Sequence, residues 1–370
     1  MTNKKMAIGM LITQIGALYA YLIGSGFASG QEIVQYFAGW GSTAATLLVG
    51  IVTLIMIFST CMGYAYAGSS RGLKDINSIS EFYGGKIVGK LLVAFAWIFT
   101  TCCYFFMISG FGSTLNQQWG VPVWAGCALA VILSVGTTLC GLKNVINVIG
   151  IIGPIVVIFT LIIGVVAAFS LYPQVPAVNA AVAAGEVQVT LAGGGNPIMA
   201  ALSFGGCCVL LPAAYVGTLG YSLRDYKRKY VTLIVGAGTI GYPLCCLLLA
   251  FCHVGNIQES SVYPIPNLLL ASQVFGAASG VLSILFAIII LLAIYSAICP
   301  LLWSSVSTVI KDEKSAKYRI ACIGVGIVVY FICILVPYQT LLNYIMTYCG
   351  YTGVIVFAVV ASRYLYVRHK

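Results

Sequence analysis

Charge is what this sequence has least of. Only 7% of its 370 residues are Asp, Glu, Lys or Arg, against roughly 25% in soluble globular domains. Eighteen basic and eight acidic side chains cannot clothe a water-exposed surface of this size. With 61% hydrophobic residues and a mean hydropathy of +1.04, the composition excludes a soluble enzyme, a nucleic-acid binder and a disordered scaffold. Metal-ligand spacing is missing too. The 14 cysteines form no Cys-x-x-Cys, and the two histidines are far apart. Cysteine pairs such as Cys102-Cys103, Cys207-Cys208 and Cys245-Cys246 lie inside apolar runs and read as small core residues. Neither a nucleophile-base pair nor a phosphate loop is evident, so an enzyme is not expected. The first apolar run passes signal-peptide length without a small-residue cleavage pattern.

What the chain does have is apolar runs of membrane-spanning length, about 20 residues each. Runs and breakers divide it into ten expected spans, near residues 7–38, 43–68, 89–112, 121–141, 145–171, 197–221, 231–252, 278–309, 319–337 and 340–366. All 18 Lys and Arg fall at the two ends and in alternate connections. Positive residues mark the cytoplasmic side, so both termini are expected inside and the span number even. The net charge of +10 is then a topology signal and calls for no nucleic-acid partner. A short surface helix is expected within 69–88. Two longer outer loops are expected at 172–196 and 253–277, the second with a short apolar segment after Tyr263-Pro264-Ile265-Pro266 lying over an outer vestibule.

The first span is too long for one straight helix, and its middle reads Gly24-Ser25-Gly26-Phe27-Ala28-Ser29-Gly30. A break is expected there. The sixth span carries a similar interruption, Ser203-Phe204-Gly205-Gly206, followed by Pro212. Unpaired backbone groups at membrane depth are tolerated only where they line a cavity or are buried in protein. Paired glycine interruptions in two halves therefore point to a transporter binding site between inverted repeats, residues 7–171 and 197–366. The competing reading is that the glycines merely let helices pack closely. Five spans per half is odd, so the second copy enters with opposite orientation.

Gly24-Ser25-Gly26-Phe27-Ala28-Ser29-Gly30-Gln31-Glu32-Ile33 resembles the first-helix signature of YkvI-type bacterial membrane proteins. Those proteins are similar to the amino acid, polyamine and organocation (APC) superfamily. The resemblance implies an all-α polytopic protein of the LeuT fold, with ten transmembrane helices in a five-plus-five inverted repeat and discontinuous helices 1 and 6. It also implies residence in the bacterial inner membrane and alternating-access transport of a small organic solute, an amino acid or related amine. No cofactor is expected beyond Na⁺ or H⁺ as coupling ion. A membrane-embedded solute sensor using the same site is the rival reading.

Broken helices expose N–H groups on one side and C=O groups on the other. The expected substrate site accordingly takes in Gly24, Ser25, Gly26, Phe27, Ser29, Ser203, Phe204, Gly205 and Gly206, with Tyr104 as a hydroxyl from span 3. Positional matching to sodium-coupled members of the superfamily sets Ser296 beside the carbonyls of Ile23 and Gly26. Glu32 is the one acidic residue inside an expected span, and such groups are functional hypotheses by default. It has a structural alternative, because Ser29-Gly30-Gln31-Glu32 has capping-box spacing. His253 reads as an outer-end loop residue.

Overall fold

The computed structural model describes residues 6–22, 25–140 and 143–369. No strand occurs among them. Eight helices are long and apolar enough to cross a membrane, and a bent pair makes a ninth span. The expected first span, which would make a tenth, is divided. It runs as α1 (Ile8–Leu22), α2 (Ser25–Ser29), α3 (Gln31–Ile33) and a π-turn over Val34–Ala38. Ile23 and Gly24, two expected site residues, lie outside the described residues, as does the Ser25 side chain.

The remaining spans follow the apolar runs closely. They are α4 (Thr43–Arg71), α5 (Ile76–Trp119), α6 (Val123–Cys140) and α7 (Lys143–Leu171). A short outer helix α8 (Val175–Ala183) precedes the bent pair α9 (Pro197–Leu210) and α10 (Ala213–Ser222). Then come α11 (Arg228–Gly255), the small α12 (Ile257–Ser260) and α13 (Pro266–Gln273). The last three are α14 (Ser279–Val309), α15 (Ala316–Leu335) and α16 (Tyr338–His369).

Local chemistry sets the ends. Asp75 caps α5, accepting from the N–H groups of Asn77 and Ser78 at 3.0 Å each, and Gly85 at φ 70° kinks the same helix further along. The first part of α5 is thus the short helix expected within 69–88. The expected outer segment also forms, as α13. It is buried along Pro266–Ala271 rather than laid on a surface.

The sixth span departs from expectation. The helix α9 runs unbroken through Ser203, Phe204, Gly205 and Gly206, and the 45° bend falls later, at Leu211–Pro212. Proline has no N–H to donate and its ring collides with the carbonyl four residues back, so Pro212 is the breaker. The glycines serve packing. A Cβ on Gly206 would overlap the Gly350 carbonyl, one on Gly350 the Ser203 carbonyl, and one on Gly353 the Gly206 carbonyl. The helices α9 and α16 therefore cross backbone to backbone, the geometry that small residues permit where lipid supplies no hydrophobic drive.

A Gly206→Ala substitution should cost about 1–3 kcal/mol through overpacking, read as a lower thermal midpoint in detergent. A midpoint equal to that of the wild type would refute the close crossing. Asp75 is held below the usual carboxylate range by the hydrogen bond from the Ser78 N–H, helped by the Ser78 hydroxyl and the Asn77 N–H. A depressed carboxylate stabilises the fold above its unfolded value and stops doing so as pH falls through its folded value. Asp75→Ala should thus cost about 1 kcal/mol at neutral pH, and its midpoint should converge with that of the wild type as the pH falls below about 4.

Candidate functional site

Gly30 is the pivot of the first span. Its φ of 84° is a left-handed conformation that glycine adopts without steric cost, and it separates α2 from α3. The Gly30 N–H turns back onto the carbonyls of Gly26 and Phe27, at 3.1 Å each. Ser29 closes the turn by donating to the Gly26 carbonyl at 2.9 Å and accepting from the Gln31 N–H at 3.2 Å. With its proton committed to Gly26, the Ser29 oxygen also receives the Tyr338 hydroxyl from α16, 2.9 Å away.

The break leaves the Ala28 carbonyl without a helical donor and the Phe27 carbonyl with only the Gly30 N–H, and a side chain from α13 donates to both. The Asn267 amide nitrogen donates to Phe27 O at 2.8 Å and to Ala28 O at 3.0 Å. Its oxygen, now fixed as an acceptor, faces His253 Nε2 at 2.8 Å, and His253 Nδ1 faces the Ser260 hydroxyl at 3.0 Å. This directionality assigns the proton to Nε2 and leaves Nδ1 to accept from Ser260. His253 is fully buried, and it holds Asn267 instead of sitting in an outer loop. The π-turn that follows has its own external donors. Thr46 Oγ1 donates to Phe37 O at 2.7 Å, and Trp40 Nε1 to Tyr36 O at 2.8 Å.

Both interruptions border one cavity. Its walls include Leu22 at the end of α1, Glu32 on α3, and Cys207, Cys208 and Leu211 where α9 ends. The opposite wall is one face of α5, with Phe99, Cys103, Phe106 and Met107 at helical spacing; Tyr242 and Met346 complete it. The volume is about 30 Å³, room for a water or a bare ion. Admitting an organic solute requires the walls to part.

Glu32 is 6% exposed and makes no hydrogen bond among the described residues. Its carboxylate lies against Gly26, where any Cβ would collide with it. The expected capping box does not form. Left-handed Gly30 sits between Ser29 and the restart of the helix, so Glu32 is only the second residue of α3 and has no reach back to the Ser29 N–H. An unpartnered buried carboxylate is costly as an anion. A cation or a proton relieves that cost.

Other expected site residues lie elsewhere. Tyr104 points away from the cavity and shares a 2.8 Å hydrogen bond with Ser134 of α6. Ser296 donates to Ala293 O of its own helix at 2.7 Å, the ordinary behaviour of a membrane serine. The Gly26 carbonyl already accepts from Ser29 and Gly30, so its free capacity for an ion is small. Ser203 donates to Ala200 O. Phe27 and Phe204 stand behind the cavity, their ring centres 5.9 and 6.4 Å from that of Tyr242. Gly205 abuts Met56. Among the described residues no group of three or more His, Cys, Asp or Glu is placed to hold a metal ion.

Asn267, Tyr242, Tyr338 and the sulfur-bearing wall went unrecognised in the sequence. A polar residue opening the short apolar segment after Pro266 was the available signal for Asn267. The spacing of residues 99, 103, 106 and 107 was the signal for the α5 face.

No protein-family model matches the chain. A stretch of 128 residues is 30% identical to the Bacillus subtilis (strain 168) "Uncharacterized protein YyaD", and the match spans 34% of this chain and about a third (35%) of that relative. Solved structures are similar over nearly the whole length. MhsT in complex with L-phenylalanine aligns with a TM-score of 0.58 and 13% identity, over 98% of this chain and 89% of that one. Inward-facing Mhp1 aligns at 0.56 and 15%, over 96% and 76%. A manganese transporter mutant from Eremococcus coleocola aligns at 0.52 and 13%, over 96% and 79%. At these identities the likeness establishes the fold, which is that of the LeuT-fold transporters.

Asn267→Leu keeps the volume but orphans the Ala28 carbonyl and a buried imidazole N–H and leaves the Phe27 carbonyl with the Gly30 N–H alone, and each orphaned group costs about 1–3 kcal/mol. The variant should unfold several degrees below the wild type, as followed by thermal denaturation in detergent. An unchanged midpoint would mean that the broken helix does not depend on Asn267.

Proposed function

We propose that this protein is a secondary transporter that moves a small organic solute with a cationic amine, an amino acid or related amine, by alternating access. The observation that carries the reading is Glu32, a buried carboxylate without a partner among the described residues, facing a cavity that touches both helix interruptions. It is one negative charge in a wall of aromatic, thiol and thioether groups, which complements a monocation with an apolar body. The LeuT-type fold supports transport, and a cavity closed to about 30 Å³ suits an occluded step of such a cycle. Na⁺ or H⁺ supplies the driving force in this reading, with Glu32 as the proton carrier in the second case. Ten spans in two inverted halves, 7–171 and 197–366, and cytoplasmic basic ends complete the proposal. So do placement in the bacterial plasma membrane and kinship with YkvI-type members of the APC superfamily.

The test begins with a thermal-shift screen of purified protein against amino acids and amines, with and without Na⁺ and at two pH values. A ligand that binds the folded state raises apparent stability by mass action. Uptake of the hit is then measured in proteoliposomes for wild type and Glu32→Gln. The variant should fold normally yet lose about 10- to 100-fold in uptake, the worth of one charge-assisted hydrogen bond, or lose its pH dependence. Wild-type uptake with an unchanged pH profile would remove Glu32 from the mechanism.

A further inference from the structure

The outward face of α11 carries a groove of about 760 Å³, with Arg228, Lys229 and Arg368 at its mouth and Leu233, Gly236 and Ile240 along its floor. Lys229, Leu233, Gly236 and Ile240 fall on one stripe of the helix. Leu233 is 50% and Ile240 44% exposed, as expected of a surface that meets lipid. From Lys229 to Ile240 the stripe is about 16 Å long at 1.5 Å per residue, close to the roughly 15 Å depth of one leaflet of the hydrocarbon core. The floor is open at Gly236, where an added Cβ would meet only Phe58, at 3.9 Å.

The mouth is built rather than incidental. Tyr66 of α4 and Tyr364 of α16 pack together with ring centres 5.5 Å apart. The Arg228 guanidinium lies 5.5 Å from the Tyr66 ring centre and the Arg368 guanidinium 6.0 Å from that of Tyr364. Arg71 adds a further cation, 5.9 Å from the Tyr66 ring. Among the described residues no carboxylate lines the groove. None of Arg228, Lys229 and Arg368 has an ion-pair partner among the described residues.

The geometry points to a binding site for an anionic phospholipid of the surrounding bilayer, its phosphate on Arg228, Lys229 and Arg368 and one acyl chain along Leu233, Gly236 and Ile240. Topology alone accounts for basic residues at a helix end. It does not account for three cations with no carboxylate partner among the described residues gathered at the mouth of an apolar groove one leaflet deep. A free phosphate would satisfy the cations but has nothing to place on the floor, so the lipid is the occupant the whole groove fits.

The full chain, stripped of lipid in an uncharged detergent, is titrated with phosphatidylglycerol, phosphatidylcholine or inorganic phosphate while its thermal midpoint is followed. Phosphatidylglycerol should raise the midpoint saturably, and the other two should not. Replacing all three cations, as Arg228→Gln, Lys229→Gln and Arg368→Gln together, should weaken the apparent affinity about a hundredfold. Gly236→Leu, which fills the floor with every charge in place, should weaken it as well. An equal shift with phosphatidylcholine, the same shift with inorganic phosphate alone, or wild-type affinity in both variants would each overturn the assignment.

Discussion

A backbone N–H or C=O in hydrocarbon must find a partner inside the protein, and the arrangement around Gly30 follows from that constraint. Breaking a helix at this depth leaves the Ala28 carbonyl without a helical donor and the Phe27 carbonyl with only the Gly30 N–H, and the fold answers with one amide, Asn267. Asn267 is in turn held by His253, and His253 by Ser260. Three elements remote in sequence are thereby committed to one local irregularity. The reward is that α3 can start again at a new angle, which sets Glu32 against Gly26 and into the cavity. A continuous helix would carry residue 32 on a different face.

How much of this was readable from residues alone depended on whether the cause was local. Span positions were legible because apolar length is a property of a run. The first break was legible because glycines clustered inside an overlong apolar run leave room for little but an interrupted helix. Glycines in the sixth span looked alike in composition but answer to a partner helix, through Gly350 and Gly353, and no local pattern reveals a partner. Pro212 was the stronger local signal there, and it marks the bend. Tyr104 was drawn to the site by its place near the middle of a span, yet rotation about the helix axis gives the cavity to Cys103 and Met107 and gives Tyr104 to Ser134. The Ser-x-x-Glu spacing failed as a cap because such a box presumes regular helix after its first residue, and Gly30 is left-handed. Asn267 was hidden for the opposite reason, since nothing in its neighbourhood announces a contact with residues some 240 positions earlier, and the role of His253 follows only from that contact.

The site and the surface are governed by the same scarcity of charge. Inside, a single carboxylate stands out because the described residues around it offer it no hydrogen bond. On the flank of α11, cations with no carboxylate partner among the described residues stand out for the same reason, although they sit where headgroups rather than solutes are met. In a protein with so few ionisable groups, an ion without a counter-ion is a better pointer to an external partner than any count of polar residues.

The carbonyl-to-glycine crossing of α9 and α16 has one more consequence. Two backbones in direct contact leave no side chain between them to rearrange, so the α9 and α16 backbones behind the cavity have almost no compliance and only side chains such as Met346 can adjust there. The facing wall is made of Phe99, Phe106, Met107 and Cys103, and thioethers in particular adapt their shape readily. The enclosure is therefore mechanically lopsided, with an unyielding back and a pliant front. Solutes of different size would be accommodated by repacking along α5 while the helix carrying Cys207 and Cys208 stays in register.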